Sequence, residues 1–174
     1  DALAMALRES REYTLSMYGH LEGRQWDVPL LEIVNPPIWE LAHIGFFQEF
    51  FCRRWRPDDP DGRRTASRLA GADALFDSRT VRRVVHPPPA PAAAGGNLGY
   101  PPLATVLAYL GATLDETIDG LAASRPDDRF RFRLALFHED MHGEALLMTL
   151  QTLGLPAPRR DHRPRPAGAP LAAR

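Results

Sequence analysis

Residues Phe130 to Leu153 read FRFRLALFHEDMHGEALLMTLQTL, followed by Gly154 and, two residues on, Pro156. A glycine and then a proline are exit signals, so the stretch predicts a long helix ending at Gly154, with Asp127 after Pro126 placed to cap its start. His138 and His142 stand four residues apart in it. At about 100° per residue they lie within about 40° of each other and one turn apart, so both imidazoles reach a common point. Leu134, Ala135, Ala145 and Thr149 share their stripe. A stripe of apolar and small residues turns the histidine pair toward a packed interior.

Outward from that helix, three more are expected. Leu103, Val106, Leu107, Leu110, Leu114, Ile118 and Leu121 carry helical periodicity behind Pro101-Pro102. Asn35-Pro36-Pro37 combines a capping residue with prolines that fit only a first turn, and opens IWELAHIGFFQEFFCRRW, apolar on most sides and stopping before Pro57. From Ala2 to Leu21, residues Leu3, Leu7, Thr14, Met17 and Leu21 form one stripe, with Arg8, Glu9, Arg11 and Glu12 read as lying mostly elsewhere on the wheel. Between the second and third long helices, Arg63 to Pro102 loses periodicity, and HPPPAPAAAGG (His86 to Gly96) has few large apolar groups. The fold class expected is therefore all-α, a four-helix bundle with a long irregular loop between helices 2 and 3, spanning 1–158 and followed by a Pro/Arg/Ala-rich tail or linker at 159–174.

The bulk numbers agree with one domain: 174 residues, 44% hydrophobic, net charge −1. The basic residues form no stripe, which argues against a nucleic-acid partner. Absence of an 18-residue apolar run or a leader-like N-terminus argues against a membrane partner, and a lone cysteine, Cys52, suits a cytoplasmic setting. The chain begins at Asp1 and ends in a Pro/Ala/Arg tail, as a segment of a longer chain would.

Two ligands are not yet a reactive metal site, which needs about three protein ligands with positions left open. His43, mid-helix with Trp39, Phe46, Phe47 and Phe50 on its face, is the candidate third. His20, His86 and His162 are poorly placed. An i, i+4 histidine pair alone is more often a surface or core feature than a ligand pair; a third core-facing histidine tips the reading to a metal centre of His43, His138 and His142. Glu139, Asp140 and Glu144 lie about 100° or more around the helix from His138, so they read as supporting or solvent-facing groups, whereas Glu40, about 60° from His43, is placed to orient an imidazole N–H. Cys52 reads as a small buried apolar side chain. No catalytic or organic-cofactor residue is assigned.

Two stretches, NPPIWELAHIGFFQEFF (Asn35 to Phe51) and ALFHEDMHGEALLMTLQTLGLP (Ala135 to Pro156), resemble the N-terminal DinB-like domain of the ergothioneine-type sulfoxide synthases and of selenoneine synthase. The resemblance implies a DinB-like bundle in which His43, His138 and His142 bind Fe(II), with Glu144 as the acid of the H-x3-H-x-E motif. It further implies an O2-dependent enzyme that takes a low-molecular-weight thiol or a selenium donor and joins sulfur or selenium to the imidazole ring of trimethylhistidine. A three-histidine face leaves about three positions of an octahedral ion open for that chemistry. Three features differ from the family's pattern. The C-terminal domain of the formylglycine-generating type, which supplies the catalytic tyrosine, is outside these residues, so turnover is expected to need it in cis or in trans. Met141 stands where many sulfoxide synthases carry glutamine, favouring the selenoneine-synthase-like branch or another one. The Val81 to Tyr100 stretch departs from the family's continuation after DALFDS, and no donor-binding role is carried over to Arg79, Arg82 or Arg83. Two other readings stay open: a DinB-like thiol transferase using Zn(II) or Ni(II), and a non-catalytic bundle.

Overall fold

The computed structural model describes residues 1–26, 34–80 and 99–158; the predicted tail at 159–174, with His162, and residues 81–98, which include Arg82, Arg83 and the low-complexity stretch from His86, lie outside them. The described residues form helices and turns. Helix α1 (Ala2–Tyr18) starts at Asp1, whose carboxylate accepts from the Leu3 N–H at 3.0 Å. Helix α2 (Pro37–Glu49) runs on through a π-helical turn, Phe50–Arg54, before Trp55 goes extended. A single helical turn, α3 (Ala72–Leu75), follows Gly71, whose φ of +77° favours glycine. Helices α4 (Leu103–Ala122) and α5 (Phe130–Leu153) complete the set, α5 closing on Gly154 at φ +65°.

Helix α1 packs on α4 and α5, and α2 packs on the same two, so α1 and α2 occupy opposite corners. Two apolar clusters give the directions. Leu7, Cys52, Leu114, Leu121, Phe132 and Ala135 fill one end; Met17, Phe46, Leu110, Leu146 and Leu150 belong to the other. The clusters are met in the same order along α1 and α5 and in the reverse order along α2 and α4. The bundle is therefore up-down-down-up, a topology in which the parallel neighbours α2 and α4 need a long crossover, here residues 55–102. That is the four-helix arrangement expected, with one extra helical turn inside the irregular excursion.

Between the clusters lies a polar layer that the helical wheel of α1 missed. Arg11 was expected outside the apolar stripe, yet it is four residues after Leu7 and three before Thr14, and it is buried. Its guanidinium donates to both oxygens of Glu139 (2.7 and 3.1 Å), to Gln48 Oε1 (2.7 Å) and to the Leu110 carbonyl (2.6 Å). One side chain so joins all four long helices. Where α2 crosses α4, Gly45 permits the approach: a Cβ there would stand 2.8 Å from Tyr109 Cε1. Two expected caps differ. Asp127 falls in a 3-10 turn, Pro126–Arg129, that precedes α5, and Asn35 does not cap α2, its side chain being engaged by Glu40.

Candidate metal centre

Helix α2 carries His43 and α5 carries His138 and His142, and the antiparallel packing of these helices brings the three rings together. The ring centroids lie 5.0 Å (His43 to His138), 5.0 Å (His43 to His142) and 4.5 Å (His138 to His142) apart. One nitrogen from each falls within 4.8 Å of the others, and the two Nε2 atoms of α5 are 3.2 Å apart. His43 and His142 are buried and His138 is partly so.

Each ring is held from behind by a different device. His43 Nδ1 donates to the Phe76 carbonyl at 2.7 Å; a carbonyl only accepts, so the proton sits on Nδ1 and Nε2 keeps its lone pair for the centre. The Trp39 ring stacks on the same imidazole, 4.6 Å away. His142 Nδ1 is paired with Glu40 Oε2. His138 is set by packing, face to face with Phe47 at 3.5 Å and 4°.

Burial, followed by the neighbouring His142, pulls the His43 pKa down to about 4, against a smaller upward pull from Phe76 and Glu40. Burial and the two other histidines depress His138 further, to about 2. Both rings are thus neutral at pH 7, the form that binds a metal. Burial alone would raise the Glu40 carboxyl, but the hydrogen bond and charge of His142, the Asn35 amide and His43 together hold it below its ordinary value.

The three imidazoles form part of the wall of a pocket of about 550 Å³, to which Trp39, Ser78, Met141, Met148 and Thr149 also contribute. A divalent transition metal fits this donor set: three imidazole nitrogens on one side, the rings held from behind by hydrogen bonds or packing, and open space opposite. Along its length α5 carries apolar side chains toward solvent, of which Met141 and Met148 also line this pocket. Phe130, Phe137, Met141 and Met148 are each at least half exposed. On a helical wheel they fall within about 20° of one line.

The other candidates sort cleanly. His20 bonds the Met17 and Pro156 carbonyls and ties the end of α1 to the chain beyond α5. Glu139 supports Arg11, Asp140 accepts from Ser10 Oγ at 2.6 Å, and Glu144 faces solvent. Cys52 is buried, its thiol pushed by desolvation to about 12. Arg79 pairs with Asp77 and lies 4.2 Å over the Phe50 ring. Glu40, read as orienting an imidazole N–H, does face one: it reaches across to Nδ1 of His142. The Phe76 carbonyl was missed, because a backbone acceptor in an irregular segment leaves no mark in the sequence.

The DinB superfamily model matches residues 6–155, and the chain belongs to that superfamily. It is also 30% identical over 177 residues to hercynine oxygenase of Mycolicibacterium smegmatis, an alignment covering 99% of this chain and 37% of that protein. The chain thus spans little more than a third of the length of this curated relative.

Proposed function

We propose that this DinB-superfamily chain is the iron-binding domain of a non-haem Fe(II), O2-dependent synthase that forms a C–S or C–Se bond on trimethylhistidine. His43, His138 and His142 are its metal ligands. The observation that carries the reading is the convergence of three imidazoles on one pocket wall, in a chain that aligns end to end with part of a hercynine oxygenase. Bound there, Fe(II) would supply redox chemistry with O2 and a seat for a thiolate or selenolate donor. The protein's own contribution is to keep the His43 and His138 rings neutral, to bring the three rings together, and to provide a pocket of amino-acid size beside them. The exposed line of Phe130, Phe137, Met141 and Met148, the last two of which also line the pocket, supports the second half of the proposal: a further domain of the formylglycine-generating type, in cis or trans, seats against that face of α5 and completes the substrate pocket in the cytoplasm.

Metal analysis of untagged protein followed by anaerobic Fe(II) titration tests the reading. Uptake of one Fe(II) per chain, lost in His43→Ala, His138→Ala and His142→Ala, is expected. Stoichiometric zinc with no exchange for iron would instead assign the same three ligands to a zinc-dependent transferase, since neutral imidazole suits both ions.

A further inference from the structure

The three ligand rings are not held equally. A backbone carbonyl anchors His43 and a phenylalanine face anchors His138, but among the described residues only His142 is paired with an anionic side chain. That side chain, Glu40, is buried on α2, one turn before His43, and it crosses to the partner helix α5 to make the contact. Its other oxygen accepts from Asn35 Nδ2 at 2.7 Å, which takes up Asn35 at the entrance to α2. A buried carboxylate with both oxygens engaged is fixed in place, and a carboxylate accepts rather than donates, so the proton between the pair rests on Nδ1 of His142.

We propose that Glu40 is the positioning residue of the centre. Held by Asn35, it locks His142 in the Nδ1–H tautomer, turns Nε2 toward His43 and His138, and couples the ligand pair of α5 to the helix that carries the third ligand. An imidazole free of such a partner populates both tautomers, and in the wrong one a proton stands where the lone pair must be. The carboxylate also makes the ring a stronger donor and offsets part of the ion's charge. The role as ligand anchor rests on the metal reading above; the tautomer lock does not.

The experiment uses two readouts on the intact chain. Long-range 1H–15N NMR on metal-free protein reports the His142 tautomer, and Co(II) titration followed by its visible absorption reports affinity. In the wild type, Nδ1–H at His142 is expected. Glu40→Ala should lose the single tautomer and bind Co(II) about 10- to 100-fold more weakly, Glu40→Gln should fall between, and Asn35→Ala should show a smaller loss of the same kind. An Nε2–H tautomer at His142 in the wild type overturns the proposal whether or not metal binds. So does a Glu40→Ala protein, folded by circular dichroism, whose affinity stays within twofold of wild type; should that variant not fold, unchanged tautomer and affinity in both Glu40→Gln and Asn35→Ala overturn it equally. Failure of the wild type to bind Co(II) strikes the metal reading, while the tautomer measurement still decides the lock.

Discussion

Acidifying the metal-free protein from pH 7 to pH 5 should destabilise it, with His43 and His138 both contributing, and His43 gives the size of one share. In the unfolded chain this histidine titrates near its ordinary 6.5; in the folded protein, burial and His142 hold it down to about 4. Below pH 6.5 the unfolded state therefore takes up a proton that the folded state refuses. A folded pKa that is depressed for a base means stability is lost as pH falls below the unfolded value, and the loss stops growing once pH passes below the folded value. Each unit of pH in that window weakens folding by about 1.4 kcal/mol per proton, so at pH 5 His43 alone contributes a loss of about 2 kcal/mol, with a ceiling near 3 kcal/mol below pH 4. The window stops short of the carboxylates: the Glu40 contribution is lost only as pH falls below its ordinary 4.5. Urea unfolding of EDTA-treated protein at pH 7, 6 and 5, wild type beside His43→Gln, isolates the term. The wild type should lose about 2 kcal/mol more than the variant over this range. Equal pH slopes in the two proteins, or a wild type steadier than the variant, would refute the claim that this imidazole is buried in its neutral form.

Other perturbations reach the scaffold. Arg11→Met leaves the Glu139 carboxylate buried without its partner and should cost about 3–5 kcal/mol in urea unfolding, whereas Arg11→Met with Glu139→Leu should recover most of that loss; equal destabilisation by both would show that the pair is not the source. Gly45→Ala drives a methyl to 2.8 Å from Tyr109 Cε1 and should lower stability by about 1–3 kcal/mol, read as a drop in Tm. Phe137→Ser, on an exposed position of α5, should shift stability by no more than about 0.5 kcal/mol while weakening association with an added formylglycine-generating-type domain, measured by calorimetry.

The helices were legible because each carries its periodicity and stop signals in its own residues: Leu103 to Leu121 became α4 and the run closing at Gly154 became α5. The histidine cluster was legible for a related reason. A four-residue spacing places His138 and His142 on one line of α5, and a histidine amid Trp39, Phe46 and Phe47 has few places to point except inward. Arg11 was misread because charge was taken as evidence of solvent, although its spacing from Leu7 and Thr14 is that of a core position. Its buried partners, Glu139, Gln48 and the Leu110 carbonyl, lie on three other helices, and no local pattern reveals such company. The start of α5 was misplaced for a smaller reason, since a proline followed by aspartates suits a 3-10 turn as well as a first α-helical turn.

What remained invisible is tied to topology. An up-down-down-up bundle cannot join α2 to α4 by a short turn, and in this protein the described part of that connection, residues 55–80, passes the histidine cluster. Phe76, just after the single turn α3, lends its carbonyl to His43 and its fully buried ring to the core cluster. Arg54 fastens the same path to the end of α2 through the Gly62 and Thr65 carbonyls and the Asp73 carboxylate. The described part of the crossover therefore helps build the histidine cluster: it fixes the tautomer of His43 from outside the bundle, as the proposed Glu40 lock does for His142 from within. Two independent contacts on neighbouring rings explain how three imidazoles from two helices can be held convergent at once. Loosening the crossover should thus disturb His43 and leave His142 in place.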